Sequence, residues 1–217
     1  MPGQAVILGA TGMVGSACLP LLLERYDNVT AFVRRSTGLK HGRLTERMID
    51  FGRLGTIEIP YGAHVYCALG TTIKKAGSEE AFRKVDQDYP RMLAERAAGA
   101  GGARFVLVSS VGADAHSSTF YLRVKGELED AVRGMAFQAV HIFRPSVLIG
   151  DRAERRTGES IGIAVAKVAG PFLLGSLRRY RAIPGATVAR AMVGAGNKDV
   201  AGCFVYHYDE IKWLAAD

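Results

Sequence analysis

The sequence predicts an α/β fold built on a doubly wound, mainly parallel sheet, and three observations carry that expectation. Short β-branched or apolar runs alternate with longer stretches of helix formers along the chain. Seven such runs in 217 residues come to one per roughly 31, about the length of a strand–helix–strand unit. Several of the runs show little polar alternation, as expected when helices cover both faces of a sheet. With 48% hydrophobic and 23% charged residues, the chain is large enough for one packed core and too small for two, so residues 1–217 are expected to form a single domain.

Taken in order, strands are expected at 5–8, 29–33, 47–49, 64–69, 104–109, 138–143 and 203–206. Helices are expected at 13–25, 79–100, 119–133 and 188–195, where apolar residues recur at spacings of three and four. The stretch 161–177 is strongly apolar and holds one charge, Lys167. Gly162, Gly170, Pro171 and Gly175 interrupt it, and it sits at the short limit for crossing a ~30 Å hydrocarbon core, which argues against a membrane span. A helix ending near Gly170 is expected instead, packed over the substrate side of the sheet or against another subunit or protein partner. Residues 146–217 are expected to form a small substrate region interleaved with the sheet.

Composition narrows the partner. The 28 Lys and Arg against 21 Asp and Glu give a formal charge of +7, which favours something negative. Nucleic-acid binding would want a continuous basic face with aromatic residues for stacking, whereas the aromatics here lie mostly inside apolar runs. Cys18, Cys67 and Cys203 are far apart in apolar surroundings, and the five histidines are scattered, so reduced thiols and no metal site are expected. After Met1-Pro-Gly-Gln the chain enters an apolar run at once; this predicts no targeting peptide and a cytoplasmic protein.

The first expected strand runs into Gly9-Ala-Thr-Gly12-Met-Val-Gly15, followed by helical sequence. Glycines in this strand–turn–helix context let backbone N–H groups and the positive helix end approach a pyrophosphate, which points to a dinucleotide. The second strand ends in Arg34-Arg35, where an Asp or Glu would hold a ribose 2′-hydroxyl. Guanidinium groups there can bond a 2′-phosphate and stack on adenine, so NADP(H) is expected over NAD(H). Asp50 is a candidate acceptor for the adenine amino group, and Gly70, at the carboxyl end of the fourth strand, for contact on the adenosine side.

The fifth strand ends in Ser109-Ser110, and Tyr121 and Lys125 follow at a spacing of four, on one helix face. A phenol with a reference pKa of ~10 is a poor base, but an ammonium ~4 Å away at an effective dielectric of ~20 favours the phenolate by about 4 kcal/mol, roughly three pKa units. Tyr121 is therefore the candidate acid/base, Lys125 its tuner and ribose ligand, and Ser110 the donor that polarises a substrate carbonyl.

With these residues in view the chain resembles the short-chain dehydrogenase/reductase superfamily, and within it the atypical branch of the HIV Tat-interacting protein family. The resemblance rests on Gly9-Ala-Thr-Gly12, Phe32-Val-Arg-Arg35, Ile49-Asp-Phe51, Leu69-Gly-Thr-Thr72 with Lys75-Ala-Gly77, Val85-Asp-Gln-Asp-Tyr89, Ser109-Ser110, Tyr121 through Glu127, Phe143-Arg-Pro145 and Asp151-Arg152. It implies an NADP(H)-binding Rossmann fold and carries a cofactor role onto Thr11, Gly12, Met13, Val14, Arg34, Arg35, Leu69, Gly70, Tyr121, Lys125, Leu148 and Arg156. The loop between Ser110 and Tyr121 is one residue shorter than in a eukaryotic relative, which leaves open whether Ser109 or Ser110 faces the substrate; Ser110 is favoured. Asp86 stands where many relatives place an Asn that supports a proton relay; the alternative is that it only stabilises the helix. The expected function is an NADP(H)-dependent oxidoreductase acting on a small carbonyl or alcohol compound. The alternative is an NADPH-binding sensor or assembly factor without turnover.

Overall fold

The computed structural model describes residues 3–150 and 173–216. Seven strands form one parallel sheet: β1 (Gln4–Leu8), β2 (Asn28–Val33), β3 (Leu44–Met48), β4 (His64–Cys67), β5 (Arg104–Val108), β6 (Ala139–Phe143) and β9 (Gly202–Tyr206). Their order is β3-β2-β1-β4-β5-β6-β9, so the chain winds outward in both directions from the β1/β4 boundary. In such sheets the crevice outside the carboxyl ends of the strands at that reversal is where ligands bind. The doubly wound parallel sheet expected from the alternation of runs is the fold that forms.

Alternate residues of each strand feed two cores, because successive side chains point to opposite faces. Ile7, Ala31, Tyr66, Val106 and Phe143 pack with α1 (Met13–Arg25), α6 (Gly185–Gly196) and α7 (Tyr208–Leu214). Leu8, Phe32, Val65, Leu107 and Ile142 pack with the 3₁₀ turn at Phe51–Thr56, α4 (Tyr89–Gly99) and α5 (Phe120–Arg133). Each fully buried Leu, Ile or Phe contributes roughly 1.5–3 kcal/mol, so the apolar strands demand cover on both sides.

Several boundaries differ from those read in the sequence. The third strand lies at Leu44–Met48 rather than 47–49, because edge pairing to β2 recruits polar Thr45 and Glu46 that carry no apolar signal. The long helix at 79–100 is split into α3 (Glu79–Arg83), a π turn (Lys84–Asp88) and α4. The short α2 (Ile73–Ala76), the paired β7 (Leu148–Ile149) and β8 (Ile183–Pro184), and α7 were not expected; none is long enough to show a period. Of the apolar stretch 161–177, only 173–177 falls within the described residues. Among the described residues no helix is long and apolar enough to cross a membrane.

At the amino-terminal ends of the strands a polar network is enclosed. His64 Nε2 lies 2.7 Å from Arg104 Nη1, which donates to it, and His64 Nδ1 lies 2.8 Å from the Tyr26 hydroxyl. The Tyr26 and Tyr66 hydroxyls are 2.7 Å apart. Burial, assisted by the nearby Arg104 charge, lowers His64 to about 4, and the same causes together with His64 lower His141 to about 4. The unfolded chain binds these protons near the ordinary histidine value of ~6.5, so the stabilisation is complete above that pH and is lost as pH falls through about 4. Urea midpoints measured between pH 7 and pH 4 are expected to decline across that window, and the decline to be shallower in His141→Phe. An equally steep decline in the variant would remove His141 from the effect.

Candidate functional site

The turn after β1 is shaped by two close approaches. Gly9 has φ +90°, and a Cβ there would lie 2.5 Å from the Ala68 carbonyl carbon at the end of β4. A Cβ on Gly15 would fall 2.0 Å from Gly9 O, so any side chain there would push α1 away from the strand. Gly12 is the N-cap of α1; its N–H donates to Gly9 O at 2.9 Å, no side chain caps the helix, and its first turn holds no acidic residue. The helix start thus presents free N–H groups and positive potential at the carboxyl edge of the sheet, an arrangement that fits a pyrophosphate.

The residues around this turn are placed unequally. Thr11 is exposed and Met13 half-buried, while the Val14 side chain enters the core and leaves only its backbone toward the turn. The start of α6 presses on Met13, since a Cβ on Gly185 would lie 2.8 Å from Met13 Cγ. Leu148, in β7 and paired with Ile183 next to α6, is thereby brought to the same side of the sheet. Arg156 lies outside the described residues.

Arg34 and Arg35 follow β2 and are exposed, with the Arg34 guanidinium 5.4 Å from the centre of the Phe51 ring. Glu46 of β3 anchors the loop they enter: it accepts from Ser36 Oγ at 2.7 Å and from Thr37 N at 2.8 Å, and also from the Thr37 hydroxyl. Those hydrogen bonds, Thr37's foremost, hold the Glu46 carboxyl below its ordinary range. Asp50 caps the following 3₁₀ turn, accepting from Gly52 N at 3.0 Å. This gives it a structural duty that the sequence reading did not include.

The end of β4 connects this cofactor side to the candidate catalytic helix. Leu69 is half-buried and Gly70 exposed, and a Cβ on Gly70 would lie 3.3 Å from Asp86 Oδ1 and 3.9 Å from Lys125 Nζ. Asp86 projects from the π turn and is 1% exposed. Its Oδ2 accepts from Thr71 N at 2.8 Å and its Oδ1 lies 2.7 Å from Lys125 Nζ. Burial opposes the charge on Lys125, but the Asp86 carboxylate, with a smaller effect from Tyr121, outweighs it and holds the ammonium above the usual lysine range.

Tyr121 and Lys125 stand one turn apart on α5, and the Tyr121 ring packs 5.4 Å from that of Phe82. The two serines part company. Ser109 is buried and its Oγ donates to Glu129 Oε1 at 2.5 Å, whereas half-buried Ser110 makes only a 3.4 Å contact to Val111 O. Glu129 is 1% exposed and also accepts from Arg144 Nε at 2.9 Å and Nη2 at 2.5 Å. This network joins the ends of β5 and β6 to α5. The pairing of Glu129 with Arg144 had no signal in the sequence, and for Asp86 the resemblance pointed to the position but not to Lys125 as its partner, because each pair joins residues from separate elements without a shared local motif.

The basic residues serve several ends. Arg178 pairs with Asp209 at 2.7 Å, Arg104 with Asp199 at 3.1 Å, and Arg83 with Glu127. Arg152 and Arg155 lie outside the described residues. Among the described residues, no group of three or more His, Cys, Asp or Glu is placed to hold a metal ion.

Comparison with known proteins agrees with this geometry. Residues 9–197 match a family described as NAD(P)H-binding. The protein HTATIP2 of Rattus norvegicus is 38% identical over 194 residues, 86% of this chain and 78% of its own length. FMP52-1 of Scheffersomyces stipitis, named a mitochondrial protein, is 34% identical over 90% of this chain and 88% of its own. The solved human epimerase family protein SDR39U1 with NADPH superposes with a TM-score of 0.62 at 16% identity, covering 94% of this chain and 74% of that one. At that identity the likeness concerns the fold. The chain belongs to the NAD(P)H-binding family of HTATIP2 and FMP52, and its sheet has the Rossmann-like α/β fold.

Proposed function

We propose that the protein is an NADP(H)-dependent oxidoreductase that interconverts a small carbonyl compound and its alcohol. The observation that carries this reading is a buried Lys125 one helical turn from half-exposed Tyr121, on the helix facing the carboxyl ends of β4 and β5. A nicotinamide dinucleotide held by this site would, when bound, supply the hydride for the carbonyl carbon. Tyr121 donates its phenolic proton to the carbonyl oxygen, and in the reverse direction takes it back. Ser110, whose hydroxyl is not held by the Glu129 network, donates a hydrogen bond to that oxygen and strengthens it as negative charge develops. Lys125 would hold the nicotinamide ribose, while Gly9, Gly12 and Gly15 would let the backbone reach the pyrophosphate.

Arg34 and Arg35 support the choice of NADP(H), since each can form a charge-assisted hydrogen bond with a 2′-phosphate. Replacing both with alanine is expected to weaken NADPH binding about ten- to a hundredfold and NADH binding much less, as followed by cofactor fluorescence. Equal losses for the two cofactors would place the arginines outside 2′-phosphate recognition.

A second reading, an NADPH-binding sensor without turnover, is favoured by one observation: the Lys125 charge is already matched by Asp86. A panel of carbonyl compounds with NADPH separates the two. Turnover that disappears in Tyr121→Phe supports the enzyme; tight NADPH binding with no turnover of any compound by the parent protein supports the sensor.

A further inference from the structure

We propose that Asp86 is a positioning residue that holds Lys125 and partly cancels its charge, so that the lysine acts on Tyr121 as one end of a buried ion pair rather than as a lone cation. The inference rests on the assignment of Tyr121 as acid/base and specifies how that site is regulated by its own surroundings. Two contacts and the burial of the pair support it. Asp86 Oδ1 lies 2.7 Å from Lys125 Nζ, Asp86 Oδ2 accepts from Thr71 N at 2.8 Å, and the two side chains are 1% and 5% exposed. The pair is therefore desolvated, and little water lies between the charges to screen one from the other. The π turn adds a residue to the helical register between α3 and α4, and Asp86 is the residue of that turn that is buried.

Magnitude decides the consequence. A lone ammonium ~4 Å from a phenol at an effective dielectric of ~20 favours the phenolate by roughly three pH units. Asp86, in contact with the ammonium of Lys125, carries the opposite charge and opposes its field at the phenol, so removing the carboxylate strengthens that field. The other groups around the site do not replace the missing field. Phe82 of α3 gives Tyr121 an uncharged ring, Cys67 of β4 is buried with its thiol pushed up by desolvation to about 11, and Arg83 of α3 is committed to Glu127. Arg123, on the same helix as Tyr121, is directed to the Ser117 carbonyl at 2.8 Å. Asp86 also ties Lys125 to the Leu69-Gly70-Thr71 segment, so the cofactor-side loop and the catalytic helix are held by one carboxylate.

The test uses the full chain without cofactor and follows tyrosinate absorbance against pH in the parent, Asp86→Asn and Tyr121→Phe. The step assigned to Tyr121 is the one missing from Tyr121→Phe. In Asp86→Asn that step is expected about one to two pH units lower than in the parent, because the asparagine keeps the shape and removes the charge. An unmoved step overturns the proposal. If Asp86→Asn does not fold, the comparison passes to Lys125→Met against Lys125→Met with Asp86→Asn, the second of which removes both buried charges together. The same lowering is expected between those two, and coincident steps overturn the proposal. This readout needs no substrate, so it stands even if the carbonyl panel shows no turnover. Where a compound does turn over, the pH profile of its oxidation is expected to move in the same direction; turnover lost in Tyr121→Phe with an unmoved profile in Asp86→Asn would keep the enzyme and discard the role of Asp86.

Discussion

Tyr121→Phe is expected to lower kcat for carbonyl reduction by roughly 10²–10⁴-fold while NADPH binds as before. The substitution removes one oxygen and leaves the ring, which packs 5.4 Å from Phe82, so the helix and the cofactor side keep their contacts. What is lost is the proton donor for the developing alkoxide. A residue that only fills space would change kcat and binding little when its hydroxyl is deleted. Steady-state kinetics with NADPH together with a fluorescence titration of the cofactor distinguish the cases, and a kcat unaffected by the loss of the hydroxyl would remove Tyr121 from the mechanism.

Glu129→Gln is expected to cost about 3 kcal/mol of stability, or a Tm lower by roughly 6–12 °C. Glu129 is 1% exposed and meets Arg144, itself 20% exposed on its side chain, at 2.5 Å. Deleting the carboxylate charge leaves a largely buried guanidinium without its counter-ion, and losing one partner of such a pair is far costlier than losing both. Replacing the two residues together, by Glu129→Leu with Arg144→Met, is therefore expected to cost less than the single change. Thermal unfolding of the single and double variants checks this ordering. The glutamine keeps one side-chain oxygen that can still accept from Ser109 Oγ, so the loss falls on the ion pair with Arg144 rather than on the serine contact.

The parts of the protein that were legible along the chain are those whose cause is local. The apolar runs of β1, β4, β5 and β6 had to be buried on both faces, and α1 and α5 carried their helical spacing openly. The glycine turn was legible because Gly9 and Gly15 answer a backbone requirement confined to seven residues. Tyr121 and Lys125 were legible as a pair because a spacing of four on a helix puts two side chains on one face. Edge strand β3 was misplaced because it is half polar, and the π turn within 79–100 was invisible because its residues are ordinary helix formers.

Sequence alone thus determined the winding of the sheet, the glycine turn and the Tyr121–Lys125 face, each from residues near one another in the chain. Tertiary structure alone decided which charges and hydroxyls are already spoken for. It matched Lys125 to Asp86 across 39 positions, engaged Ser109 through Glu129 while leaving Ser110 half-exposed, and gave Asp50 a capping role. The physical reason is the same in each case: a charge or hydroxyl becomes costly only once it is buried, and its partner is whichever group the folded sheet and helices bring within hydrogen-bonding distance.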